Sequence, residues 1–304
     1  MFRRTVLGLA AAPWLRAASG EEWIERLGGT VEHDASGQVV AARLAGTWVN
    51  DSELLELLAY PKLRKLDLSH TRIGDEGLLH LRPARGIEDL NLFYAEQITD
   101  QGLNAIKQWR GLKRLDVRGT RVADGALAVA GQLPALESLD VANTAITDSG
   151  LDNLVSLTRL KHLAIGRSRL GDSAAASIRF LNTLESLDLS GPRAANRNQN
   201  AAAGNMADVL VRAIAELAGL RVLKLGHSNI DGTGLATLAP ALGKLEQLGL
   251  EGCSKVDDEA LRTIAKWSSV RRLDVQDTKT SREGLAWFRA ARPEVRLLEN
   301  GASS

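Results

Sequence analysis

An apolar triplet of the form L-x-x-L-x-L recurs along this chain at a nearly constant spacing. Copies begin at Val39, Leu63, Ile87, Leu112, Leu136, Leu160, Leu184, Leu220, Leu245 and Val270, and a partial copy begins at Val295. Successive starts lie 24, 24, 25, 24, 24, 24, 36, 25, 25 and 25 residues apart. A unit of this length cannot bury its own apolar stripe, so each copy must use its neighbours as the other half of the core. The repeat therefore dictates stacking along one direction and excludes a closed globule.

Each copy carries signals for two elements. The L-x-L centre alternates with period two, which predicts a short strand with one face inward. Five or six residues later an aliphatic residue is followed by aspartate, as in Ile73/Asp75, Ile98/Asp100, Val122/Asp124, Ile146/Asp148 and Leu170/Asp172. That aspartate is expected to cap a helix, its carboxylate accepting from the free N–H groups of the first turn. Apolar spacing of three follows, as in Leu151, Leu154, Leu157 and Leu160. One strand and one helix per copy predict an α/β solenoid: a parallel concave sheet, helices on the convex side and about ten repeats. At roughly 4.8 Å per strand the concave arc runs on the order of 45 Å, long enough to hold a protein segment.

The stretches LRKLDLSHTRIGDEGL, Leu63 to Leu78, and LESLDVANTAITDSGL, Leu136 to Leu151, carry the pattern best. They resemble leucine-rich repeats of the cysteine-containing or ribonuclease-inhibitor-like type, a run also common in bacterial exported proteins. The resemblance covers residues 39–298 and implies a horseshoe that interacts with other proteins, without naming a partner. Departures fall at Ala175, where a leucine is expected, at Asp231-Gly232, where the aspartate is shifted by one, and at Thr280-Ser281-Arg282.

Residues 1–20 read as an export leader. Arg3 and Arg4 precede the apolar stretch Val6 to Leu15, and Ala17-Ala18-Ser19-Gly20 offers small residues for cleavage. The paired arginines and Arg16 resemble a twin-arginine signal, which implies a periplasmic or extracellular mature chain. The apolar stretch is too short to span a bilayer, which needs about 20 residues, so no stable membrane insertion is expected. Residues 21–38 are expected to form a helix and hairpin that cap the first copy, and residues 299–304 to form a frayed tail. The single interruption of the period inserts 12 residues (36 less 24) at 190–205, at the rim beside the concave face.

Composition narrows the function classes. The chain has 38 basic and 37 acidic residues; without Arg3, Arg4 and Arg16 it has 35 and 37, a balance near −2. Nucleic acid is therefore not the expected partner, because phosphate neutralisation needs a basic excess. One cysteine excludes a disulfide framework, and its place in the repeat, matching Thr71, Thr120, Thr144 and Ser228, predicts a turn role. Aromatic residues make up 4% while leucine is about one residue in six, so the core is aliphatic, with Trp109 and Trp267 standing at inward leucine positions. The five histidines show no ligand spacing, and no metal or cofactor is expected. G-x-S-x-G, H-E-x-x-H and P-loop patterns are missing from the sequence, so no enzyme activity is expected.

Strand alternation gives the outward columns. One contains Asp67, Asn91, Asp116, Asp140, Ala164, Asp188 and Lys224; its neighbour contains Lys65, Asp89, Arg114, Ser138 and His162. Adjacent carboxylates repel unless neutralised, a role expected of Lys65, Arg114 and Arg272. Phe93 and Tyr94 form an aromatic pair at a strand exit, suited to anchoring a partner. The expected function is a non-enzymatic scaffold that binds a partner protein through Asp67, Asp89, Asn91, Phe93, Tyr94, Arg114, Asp116, Asp140, His162, Arg167, Asp188, Arg193 and Arg197. The alternative is a periplasmic glycan or small-ligand binder at the rim near Arg167, Arg193 and Arg197.

Overall fold

The computed structural model describes residues 20–191 and 208–300. Residues 1–19, most of the 190–205 insertion with Arg193 and Arg197, and residues 301–304 lie outside the described residues.

From the second copy on, each apolar triplet forms a three-residue strand beside its neighbour. The strands are β1 (Thr30–His33), β2 (Val39–Arg43), β3 (Lys65–Asp67), β4 (Asp89–Asn91), β5 (Arg114–Asp116), β6 (Ser138–Asp140), β7 (His162–Ala164), β8 (Ser186–Asp188), β9 (Val222–Lys224), β10 (Gln247–Gly249), β11 (Arg272–Asp274) and β12 (Arg296–Leu298). They form one open sheet in chain order, with β1 and β12 at its edges. Only β1 runs antiparallel, paired with β2. From β2 onward the register is constant: Leu66, Leu90, Leu115, Leu139 and Leu163 stand side by side, all buried. Inward aliphatic side chains of every copy join one continuous core. Trp109 and Trp267 lie in it, at 0% and 3% exposure.

The convex side carries short helices α2 (Asp75–His80), α3 (Asp100–Leu103), α4 (Asp124–Ala130), α5 (Ala175–Ile178), α6 (Asp208–Ala215), α7 (Gly232–Leu238), α8 (Asp258–Ile264) and α9 (Arg282–Ala291), preceded in the chain by α1 (Glu22–Arg26). Residues Ser52–Ala59 and Asp148–Leu154 are 3₁₀ helix where an α-helix was expected. A 3₁₀ turn rises about 2.0 Å per residue against 1.5 Å, so it crosses the convex side with fewer residues.

The recurring aspartate does not cap its own helix. It is the first helical residue at Asp75, Asp100, Asp124, Asp148 and Asp258, and precedes the helix at Asp51, and its carboxylate reaches forward to the next copy. Asp51 accepts from Gly74 N, Asp75 from Thr99 N, Asp100 from Ala123 N, Asp124 from Thr147 N, Asp148 from Gly171 N and Asp258 from Ser281 N, each at 2.8 Å. Asp75, Asp124 and Asp258 also accept from the Thr99, Thr147 and Ser281 hydroxyls at 2.6 Å. These bonds staple one copy to the next. True aspartate caps occur later in the chain, where Asp231 accepts from Gly234 N and Asp257 from Ala260 N. The Ser281 hydroxyl bond holds the Asp258 carboxyl below the usual carboxylate range.

The ends are covered. Ile24 of α1 is fully buried in the core beside the β1–β2 hairpin, whose turn Asp34 closes by accepting from Ser36 N at 2.8 Å and Gln38 N at 3.0 Å. At the other end Phe288 of α9 is buried and Arg292 donates to the Ala265, Trp267 and Val270 carbonyls. Thr71 and Thr120 hydroxyls donate to the turn carbonyls of Leu68 and Val117 at 2.6 Å. Cys253 is fully buried at the matching place, but its sulfur instead reaches back 3.2 Å to Leu225 O of the preceding copy. Burial pushes its thiol pKa up, which keeps it protonated and unreactive.

Candidate binding face

The constant register turns alternate strand residues into straight outward columns. Asp67, Asn91, Asp116, Asp140, Ala164, Asp188 and Lys224 form the central one. Each acid in it has a structural task. One side-chain oxygen accepts from the backbone N–H two residues on, at 2.9 Å for Asp67 to Ser69, 2.9 Å for Asp116 to Arg118 and 3.0 Å for Asp140 to Ala142. Asn91 does the same for Phe93 at 3.0 Å. This side-chain turn closes the strand exit.

Neutralisation of the column differs from the expectation. Arg114 is spent on Asp89 in the neighbouring column, donating from Nε and Nη2 at 2.9 and 2.8 Å. The central acids are met instead by Arg118, 3.9 Å from Asp140, and by Lys224, 3.4 Å from Asp188. Among the described residues neither Lys65 nor Arg272 forms an ion pair with the column. Sequence reading missed Arg118 because its reach depends on the turn that follows β5. It also passed over Glu251, which sits at the C-terminal end of the floor beside Gly249, its carboxyl pushed up by burial.

Burial drives the Asp116 carboxyl up to about 6, reinforced by the Asp140 charge on the next strand. Asp140 is raised for the same first reason, with Arg118 pulling it back. The folded Asp116 pKa lies above its unfolded value, so the native state binds the extra proton. Stability from this group is fully present below about pH 4 and is lost as pH rises through about 6. Asp116→Asn keeps the turn-closing acceptor and removes the charge. The variant is expected to be more stable than the parent by about 1–2 kcal/mol at pH 7.5, after allowance for solvent screening, and equal near pH 4. Urea unfolding at the two pH values measures this, and equal stability at pH 7.5 contradicts it.

The strand-exit rim is set by a left-handed residue at the eighth position of every copy. Glycine serves at Gly46, Gly119, Gly191 and Gly252, while His70, Tyr94, Asn143, Arg167, His227 and Asp277 adopt φ of 54–56°. The conformation aims each N–H at the next copy, as in His70 N to Phe93 O at 2.8 Å and Tyr94 N to Arg118 O at 2.9 Å. For an L side chain it costs about 1–2 kcal/mol, so large residues here are held by the stack around them. Tyr94 stacks on His70 with ring centroids 5.6 Å apart and meets Phe93 edge-on at 4.6 Å. The Arg118 guanidinium lies over Phe93, 4.1 Å from its centroid. Gly119 is required beside them, since a Cβ there would stand 3.1 Å from the Tyr94 ring.

The structure thus brings Asp67, Asn91, Asp116, Asp140 and Asp188 onto one floor column, Asp89, Arg114 and His162 onto the column beside it, and Phe93, Tyr94 and Arg167 onto the rim. Arg193 and Arg197 are outside the described residues. Among the described residues no group of three or more His, Cys, Asp or Glu is placed to hold a metal ion, and no helix is long and apolar enough to cross a membrane.

The Leucine Rich repeat family model matches two copies, residues 61–81 and 132–155. Those two copies are leucine-rich repeats, and the other copies share their strand and turn. The solenoid resembles an internalin (inlF) from Listeria monocytogenes at 16% identity and a TM-score of 0.56, covering 94% of each chain. It also resembles the leucine-rich repeat ectodomain of the Arabidopsis receptor kinase HAESA, solved with an IDA peptide hormone, at 18% identity and a TM-score of 0.54. A TLR13–ssRNA13 complex is similar at 19% identity and a TM-score of 0.53. The chain covers 82% of itself but 40% of the HAESA chain, and 85% of itself but 35% of the TLR13 chain. At these identities the likeness is one of fold. Comparison with curated proteins gives no match.

Proposed function

We propose that this leucine-rich repeat protein is a non-enzymatic scaffold that binds a protein segment across its concave floor and strand-exit rim, outside the cytoplasm. The observation that carries this reading is the junction of the Asp116/Asp140 floor with the His70, Phe93, Tyr94 and Arg118 ledge. Rigid aromatic and arginine side chains beside a charged floor are the composition of interface hot spots. Solved relatives of the same fold include one in complex with a peptide hormone, which supports a peptide or protein as the occupant. The near-balanced charge of the chain supports a protein over a nucleic acid.

The test is capture from a cell-envelope extract on the immobilised mature chain. A protein is expected to be retained, and Asp116→Asn with Asp140→Asn, which keep the turn-closing acceptors, is expected to reduce its retention at least tenfold with the circular dichroism spectrum unchanged. Undiminished retention by the charge-neutralised chain contradicts a floor site. If glycan fractions raise the melting temperature and no protein is retained, the rim-centred glycan reading replaces this one.

A further inference from the structure

The strand-exit rim is not a uniform ridge. The residue before the left-handed position is Phe93 and Arg118 in two successive copies, then Ala142 and Gly166 in the next two, then Ser190. The two small residues leave a notch of about 280 Å³, walled by Phe93, Tyr94 and Arg118 on one side and by Arg167 and Ser190 on the other, with Asn143 between them. One floor acid, Asp188, also lines it, against the two arginines, and that carboxylate is already engaged by Ser190 N and Lys224.

The walls are rich in donors that the fold leaves unused. Arg118 Nε and the Ser190 hydroxyl are both buried without a hydrogen-bond partner. Buried polar atoms of this kind are uncommon in folded proteins and call for a partner. The Arg118 guanidinium carbon lies 4.1 Å from the centroid of the Phe93 ring, and its sole ion pair among the described residues is a loose one of 3.9 Å to Asp140. Arg167 is exposed, is held at φ 55° and forms no ion pair among the described residues. The acids nearby do not compete strongly for these cations. Asp188 accepts from Ser190 N at 2.9 Å and pairs with Lys224 at 3.4 Å, and Asp140 accepts from Ala142 N at 3.0 Å. A planar guanidinium with free donors is the preferred partner of a carboxylate, which it takes through two parallel bonds.

We propose that this notch is a carboxylate-recognition site, and that it takes an aspartate or glutamate side chain of a peptide segment lying along the rim. Arg118 and Arg167 supply the charge, Asn143 and Ser190 supply neutral donors, and the Phe93/Tyr94 rings wall the aliphatic stem. The inference rests on the scaffold reading above and narrows it: a partner that crosses this rim must present an acidic residue between the third and seventh copies.

The test uses three probes on the immobilised chain at fixed ionic strength: an octaglutamate peptide, an uncharged Gly-Ser octapeptide and trigalacturonate. Octaglutamate is expected to be retained at least tenfold more tightly than the other two. Arg118→Gln and Arg167→Gln are each expected to weaken it about tenfold, Arg118→Lys to recover only part of the loss, and the convex-side variant Arg262→Gln to leave it unchanged. Arg167 is exposed and forms no ion pair among the described residues, so its variant carries the test should Arg118→Gln fail to fold. Equal retention of the two peptides, octaglutamate binding indifferent to both arginines, or preference for trigalacturonate each overturns the proposal. A protein recovered on the parent chain and held equally by both arginine variants overturns the notch while leaving the scaffold standing. Arginine-dependent octaglutamate binding with no protein recovered supports the notch and counts against the scaffold.

Discussion

Replacing Asp124 with alanine is expected to lower the unfolding free energy by about 2–4 kcal/mol, although the residue lies on the convex surface far from the floor. Its carboxylate accepts from Thr147 N at 2.8 Å and Thr147 Oγ1 at 2.6 Å in the next copy, and its loss leaves a part-buried N–H without a partner. Gly150 exists because of that carboxylate. A Cβ there would stand 2.5 Å from Asp124 Oδ1 and 2.8 Å from Leu127 Cδ1, so Gly150→Ala is expected to cost about 1–3 kcal/mol. With Asp124 already replaced by alanine the nearer obstacle is gone. The double variant is therefore expected to be more stable than the sum of the single changes by at least about 1 kcal/mol. Strict additivity in urea unfolding contradicts the forward staple.

The second large effect is in the core. Trp109 is fully buried and spans to the preceding copy, where its Nε1 donates to Arg82 O at 3.4 Å. Trp109→Ala is expected to cost about 3–5 kcal/mol, because a solenoid core one copy thick has few neighbours able to collapse into the cavity. Leu157 fills the matching place in a 24-residue copy, whereas Trp109 serves a 25-residue one. Trp109→Leu is accordingly expected to cost about 1–2 kcal/mol, less than half the alanine value. Thermal unfolding of the two variants checks the order, and equal losses contradict the assignment of Trp109 as a space-filling leucine replacement.

The inward columns were legible in the chain because their cause is one-dimensional. A leucine at a fixed interval has the same neighbour in every copy, so Leu66, Leu90, Leu115 and Leu139 had to align once the units stacked. The outward columns followed from alternation alone. The recurring aspartate was misassigned because its spacing is the same whether it caps its own helix or the next copy's turn; only the direction of its carboxylate distinguishes them. The signal that could have found it is the glycine two residues after the aspartate, Gly77, Gly102 and Gly150, each pressed against the aspartate of the copy before. Likewise the neutralising partner of the floor was sought among strand residues such as Arg114, while Arg118 folds back from the turn. The rim notch was not legible at all, since it is made by the small size of Ala142 and Gly166 against their larger equivalents in adjacent copies.

Amide hydrogen exchange of the repeat protein, alone and with the partner recovered on it, addresses the binding face directly. Slowed exchange is expected in β5, β6 and β7 and in the rim residues Phe93, Tyr94, Arg118 and Asn143, with the helices α7 to α9 unchanged. Protection confined to those convex helices, or identical exchange with and without the bound protein, contradicts recognition through the floor and rim.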